Sequence, residues 1–296
     1  MYLASSSSIF VGVFAALVSM VIFGLGDFGG GELGKKINPF TFLAAIYTIE
    51  IPLLFMAMVF TSSYGLLYNN LWLFSIGIVG TIGYGAIIFG LTRGYVSIVM
   101  PLAGLLALVV PAVASILIGE TTSYLVWVGI AIAIVAIIFV TRVTEPDHHE
   151  SKKEHRIMAR FSIAMGVVAG LATGIYFVGL DQIDSPIIPK LFYLQLFGFI
   201  AGIYYLAVNR KSRTNFRKYF FLIAALAVAY QLGQMLFPFA SEKTSLAVTN
   251  VLVNLYPAVT IAMAKIINKE QTNQIQNIGF VFALVGVVCV SIGASI

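Results

Sequence analysis

Glu50 is the residue of this chain best placed to do chemistry. It stands in TIEIPLLF, Thr48 to Phe55, with apolar residues on both sides. An ionised carboxylate at the centre of a bilayer costs roughly 2.5–3.5 kcal/mol on insertion scales. A carboxyl kept there in spite of that cost can carry a proton or cation, or anchor an amine. The structural alternative is a neutral Glu that hydrogen-bonds a neighbouring helix. Pro52, two residues on, frees a backbone carbonyl nearby. Asp27 is the second candidate. It sits in Gly24-Leu25-Gly26-Asp27-Phe28-Gly29-Gly30-Gly31. Glycines let a helix loosen and let the backbone approach a ligand. The plainer reading is an Asp at the interfacial end of a helix. Asp181, in Gly179-Leu180-Asp181, copies the position later in the chain.

Amides and phenols in apolar surroundings are the next class. Gln195, Gln231, Gln234, Asn250 and Asn254 all fall in apolar segments. Asn250 and Asn254 share one helix face, as do Gln231 and Gln234. Facing lipid they would be unsatisfied, so they face protein or a wet cavity. Interhelical hydrogen bonding is the bland account of the same residues. Tyr84, Tyr176 and Tyr230, with Tyr47, Tyr193 and Tyr256, are also internal, and each can stack on a solute or simply pack. Arg93 and Lys243 are helix-end cations, suited to anchoring or to attracting an anion.

Other chemistries find no residues. The histidines, His148, His149 and His155, lie together in one polar stretch without His-Glu-x-x-His spacing. Cys289 is a lone cysteine, which excludes an intramolecular disulfide and a cysteine metal cluster. There is no Gly-x-x-x-x-Gly-Lys-Ser/Thr phosphate loop. The expectation is no metal, no cofactor and no catalytic residue.

The elements that must position these side chains follow from composition. The chain is 60% hydrophobic and 10% charged, against about 25% charged in soluble domains. Too few charges remain to cover a soluble surface, so the fold class is an all-α integral membrane protein. A span needs about 20 apolar residues. Ten segments qualify, near 9–28, 39–60, 71–91, 95–118, 123–141, 161–180, 187–208, 219–240, 245–267 and 274–294. The net charge of +5 is no nucleic-acid signal, because the basic residues sit in short loops between spans.

The chain is also duplicated. Glu242–Ser291 lies without a gap on Thr92–Thr141: Leu252 on Leu102, Leu255 on Leu105, Glu270 on Glu120, Thr272 on Thr122, Gly279 on Gly129 and Ala283 on Ala133. The first span matches the sixth, Gly12 on Gly166 and Asp27 on Asp181. The reading is a five-helix repeat over 1–141, a polar linker over 142–160 and a second repeat over 161–296. Five is odd, so the second repeat enters the membrane from the opposite side, giving two inverted five-helix repeats. Fifteen Lys and Arg, Lys265 included, fall on one side and only Lys190 and Lys243 on the other. That asymmetry puts the linker in the cytoplasm and both termini outside. Gly166, Gly170 and Gly174, four apart, suit close helix packing within the chain better than dimerisation.

Ten segments in two halves, Leu255-Tyr256-Pro257 followed by Glu270, and Gly119-Glu120 ending the fourth segment resemble the drug/metabolite transporter superfamily, EamA type. The first copy departs from the pattern, with Ala107 where Pro257 predicts proline. The resemblance implies a secondary transporter that moves a small metabolite or drug-like solute by alternating access. It also implies a cavity between the first, third, fourth, sixth, eighth and ninth helices, and termini inside rather than outside. The expected partners are a small-molecule substrate and the lipid bilayer, with no nucleic acid, and the chain is a monomer or weak homodimer. The competing readings are a membrane-embedded enzyme and a non-transporting channel or scaffold.

Overall fold

The structure is a computed structural model that describes residues 6–64, 67–118, 123–140, 152–181, 185–243, 249, 252–270 and 272–293. Ten helices account for most of them. They are α1 (Ser6–Ile37), α2 (Pro39–Thr61), α3 (Leu67–Arg93), α4 (Val96–Ile118), α5 (Tyr124–Val140), α6 (Lys152–Asp181), α7 (Ile187–Val208), α8 (Arg210–Lys243), α9 (Tyr256–Ile267) and α10 (Gln274–Gly293). Among the described residues, six stretches are long and apolar enough to cross a membrane: Ile9–Ile37, Pro39–Thr61, Leu71–Arg93, Lys153–Gly179, Ile187–Val208 and Thr214–Phe237. The other four expected spans contain shorter apolar helices, over Val96–Pro111, Tyr124–Phe139, Tyr256–Ile267 and Gln274–Cys289. Large apolar side chains such as Phe10, Phe60, Phe221 and Ile266 stand exposed on the outside. Such a surface suits lipid rather than water.

Several boundaries differ from the sequence reading, each for a local reason. The first helix does not stop near residue 28 but runs unbroken through the glycines to Ile37. Packing on both sides of Gly24–Gly31 offsets the low helix propensity of glycine. The turn then comes at Asn38, whose φ of 77° no β-branched residue would adopt easily. Its side chain caps α2 by accepting from the Phe40 N–H at 3.0 Å, and Pro39 occupies the first helical position. Residues 152–160, read as linker, form the first turns of α6. There His155 is buried and its Nδ1 hydrogen-bonds the Tyr95 hydroxyl at 2.7 Å. The basic run from Arg210 to Lys218, read as a loop, is the start of α8.

The ninth expected span is not continuous. Leu252 and Val253 are helical, Asn254 and Leu255 form a turn, and α9 begins at Tyr256. Pro257 is the cause. It brings no N–H to the ladder and its ring excludes the Val253 carbonyl. Shorter bonds, Leu255 N–H to Leu252 O and Ala258 N–H to Leu255 O, carry the chain across the break.

The helices pack in matched pairs. Exchanging α1–α5 for α6–α10 turns the α3–α6 contact into α8–α1, α4–α6 into α9–α1, and α3–α7 into α8–α2. The same exchange leaves the α2–α7 and α5–α10 contacts unchanged. Ala133 and Ala283, equivalent in the internal repeat, meet in one core cluster with Leu105, and Leu255 packs against it.

The glycine stripe of α6 faces α4 of the same chain. A Cβ at Gly166 would lie 2.8 Å from Leu102 Cβ, one at Gly170 2.5 Å from Leu106 Cβ, and one at Gly174 2.5 Å from Val110 Cβ. At Gly170 it would also meet the Ala103 and Leu102 carbonyl oxygens at 2.9 and 3.0 Å. Backbone cannot step aside as a side chain can. Gly170→Ala is therefore expected to destabilise the fold by about 1–3 kcal/mol. Thermal unfolding in detergent measures this, and an unchanged transition would show that α4 and α6 have slack.

Candidate functional site

Asp27 lies in the interior of α1, fully buried. The glycines before it decide what can reach it. At Gly24, where a Cβ would clash with Val259 and the Tyr256 carbonyl, α9 closes onto α1. The Thr260 hydroxyl completes that contact by donating to Gly24 O at 3.0 Å. At Gly26 the Tyr230 ring of α8 lies so close that a Cβ would be 2.9 Å from Tyr230 Cδ2. Tyr230 can therefore donate its hydroxyl to Asp27 Oδ1 at 3.0 Å. Asp27 Oδ2, also buried, has no hydrogen-bond partner.

Aromatic rings surround this carboxyl. Phe23, one turn earlier on α1, meets Tyr230 edge-on at 5.1 Å between centroids and Tyr256 at 6.3 Å. The Tyr84 ring of α3 is 5.5 Å from that of Tyr230, and Tyr47 of α2 is 6.3 Å from Tyr84. The Tyr84 hydroxyl is buried without a partner. Glu50 stands one turn beyond Tyr47 on α2 and is 3% exposed. Its carboxyl meets no hydrogen-bonding side chain among the described residues. Tyr84 lies within electrostatic reach of both Asp27 and Glu50. Two acids on consecutive helices thus share a tyrosine, and rings from α1, α2, α3, α8 and α9 join them.

The amides form an adjoining layer. Gln231 Nε2 donates to Gln195 Oε1 at 2.9 Å, and Gln195 Nε2 donates to Gln234 Oε1 at 3.4 Å, which ties α7 to α8. Gln234 shares the face of α8 that carries Tyr230. Tyr176 of α6 packs on Gly80 of α3 and joins the cluster of Leu73, Ile76 and Leu194. It is within electrostatic reach of Tyr47.

The remaining candidates lie elsewhere. Asn254, at the break before α9, borders a mostly apolar crevice of about 250 Å³ between α4, α9 and α10, with Pro101, Gly104, Pro257 and Leu284. Arg93 is exposed at the end of α3, 5.6 Å over the Phe89 ring, and borders a recess with Lys35, Asn38 and Thr92. It is not grouped with the buried acids. Asn250 lies outside the described residues, as does Glu120; the side chain of Asp181 is likewise not described.

Sequence reasoning missed one constellation at the basic end. Glu270, after α9, accepts hydrogen bonds from the N–H groups of Val96 at 3.2 Å and Ser97 at 2.8 Å, and from the Ser97 hydroxyl. Beside it, Asn268 Nδ2 donates to Glu32 Oε1 at 2.7 Å. Glu32 also pairs with Lys35. The repeat had flagged Glu270, but nothing in the sequence named its partners.

Comparison with known proteins completes the picture. The profile of the EamA-like transporter family matches twice, over residues 10–142 and 160–292. A solved structure titled only as the crystal structure of a protein shares the fold, with a TM-score of 0.59 at 12% identity over 96% of this chain and 95% of that one. No match is found among curated proteins.

Proposed function

Because the chain belongs to the EamA-like transporter family, we propose that it is a secondary transporter moving a small solute across the cell membrane by alternating access, with protons as the coupling ion. The observation that carries the coupling is the pair of buried acids, Asp27 and Glu50, both within electrostatic reach of Tyr84. A carboxyl in that position can take up a proton from one side and release it to the other. The family consists of transporters rather than enzymes, and neither acid has a nucleophile or metal-ligand cluster beside it. Among the described residues no group of three or more metal-ligating side chains occurs.

The exchange of packing partners between α1–α5 and α6–α10 supports ten spans in two inverted repeats. In such an architecture one half rocks against the other around a central site. The break before α9 supports the same reading, because discontinuous helices in transporters free backbone groups near the solute. Tyr84, Tyr176, Tyr230, Gln195 and Gln234 are the residues we assign to the solute path. Asn254, at the break before α9, is a further candidate, and Asn250 remains a candidate from sequence alone. Arg93 we assign to the cytoplasmic entrance, the basic side of the membrane, with both termini opposite. The working unit is a monomer or weak homodimer.

Purified protein in liposomes tests the proposal. A solute identified by thermal shift is expected to cross, to exchange with itself and to accumulate under a pH gradient. Flux that ignores the pH gradient would remove the coupling and leave transport. Absence of exchange for every solute that binds would remove transport.

A further inference from the structure

We propose that the solute is an organic cation, held by the Asp27 carboxylate among the rings of Phe23, Tyr84, Tyr230 and Tyr256. The inference rests on the transporter reading and narrows it to a substrate class. The starting point is a mismatch at Asp27. Its carboxyl is fully buried and one oxygen accepts from Tyr230, yet the other is buried with no partner. No cation offsets it from within. Lys35 pairs with Glu32, and no described lysine or arginine pairs with Asp27. A buried carboxylate without a counter-charge is strongly unfavourable, so a positive group from outside gains most by arriving here.

The rings make the same choice of charge. The π face of an aromatic ring is negative, and a cation within about 6 Å of its centroid is attracted. Phe23 touches Tyr230 and Tyr256, and Tyr84 touches Tyr230, with centroids 5.1, 6.3 and 5.5 Å apart, so a cation that reaches Asp27 must part these rings and then meets aromatic carbon beside the carboxylate. Metal ions are poorly served, because they need several oxygen ligands. Anions would face Asp27 and Glu50, and no basic side chain among the described residues contacts either. The chemistry that fits is an alkylated or arylated ammonium group.

The test uses the full chain purified in detergent. Its probes are choline and benzyltrimethylammonium, together with 3,3-dimethylbutan-1-ol, the uncharged isostere of choline. Calorimetric titration is expected to show binding of at least one cation, with the alcohol at least ~10-fold weaker. Asp27→Asn keeps the acceptor for Tyr230 and is expected to weaken the cation on the order of 100-fold. A second pair of variants guards against a folding defect in the first. Tyr84→Phe, which keeps the ring, should bind about 10-fold more tightly than Tyr84→Leu, which does not. Failure of both cations to bind, equal binding of the alcohol, or parental affinity in Asp27→Asn would overturn the inference. Exchange assays in liposomes with choline, glucose, alanine and glutamate separate it from the reading beneath it. Flux of glucose or glutamate without cation binding sinks the substrate class and leaves transport standing. Cation binding without flux of any solute leaves the site standing and sinks transport.

Discussion

In liposomes carrying a pH gradient, Glu50→Gln is expected to exchange solute as the parent does but to lose uphill accumulation. One proton moving down one pH unit supplies ~1.4 kcal/mol, which sustains about a tenfold solute gradient. Glutamine keeps the length and hydrogen-bonding capacity of the side chain but cannot titrate. The variant removes the proton site without opening a cavity. Exchange needs only that the two halves rock with solute bound, so it should survive. Glu50 meets no hydrogen-bonding side chain among the described residues, so the substitution breaks no interhelical bond. That separates the coupling reading from the structural one at the outset. Accumulation at the parental level in Glu50→Gln would pass the coupling role to Asp27. Loss of exchange together with accumulation would mean that Glu50 serves the solute itself.

What the sequence made legible was set by lipid. Ten apolar segments were visible because a bilayer allows little else, and the internal repeat because polar turn residues such as Glu270 and Thr272 had no reason to coincide with Glu120 and Thr122. The individual site candidates were visible for the same reason, since a carboxyl or amide in apolar surroundings is conspicuous. Their grouping was not. Tyr84 and Tyr230 are far apart in sequence, and only the approach of α8 onto Gly26 puts the Tyr230 hydroxyl on Asp27. The sequence reading ends the first span near residue 28, whereas α1 continues to Ile37 with α8 and α9 packed on its glycines, so Asp27 is interior to the helix. The ninth span showed Pro257 plainly, yet helices tolerate proline elsewhere in this chain. Pro52 lies within α2, and Pro101 and Pro111 lie within α4. Proline in an apolar segment therefore does not by itself say which helix breaks.

Glu270→Ala is expected to shift the protein toward a state open at its basic end. The carboxylate, from the second half of the chain, receives two first-turn N–H groups and a hydroxyl of α4, from the first half. Those N–H groups have no acceptor within their own helix. A negative charge there is favoured further by the helix dipole. Removing a cap of this kind costs about 1–2 kcal/mol, which changes a two-state ratio by about 5–30-fold. If opening the basic end separates α4 from the turn after α9, the cost falls on the closed state alone. Glu270→Gln keeps an acceptor and loses the charge, so it should fall between alanine and the parent. A cysteine at Thr92, whose hydroxyl now donates to Gly31 O, reports the change in a chain with Cys289 replaced by Ser. It should react faster with a membrane-impermeant thiol reagent added from the cytoplasm. Reaction from the other face only would overturn the orientation, and an unchanged rate would show that the Glu270 contact does not hold the end closed. Glu120 occupies the equivalent sequence position in the first repeat. If the halves are inverted and Glu120 plays the part that Glu270 plays, Glu120→Ala should slow the same reaction by favouring opening at the opposite end. Acceleration by both variants would argue against inversion, whatever each does to transport.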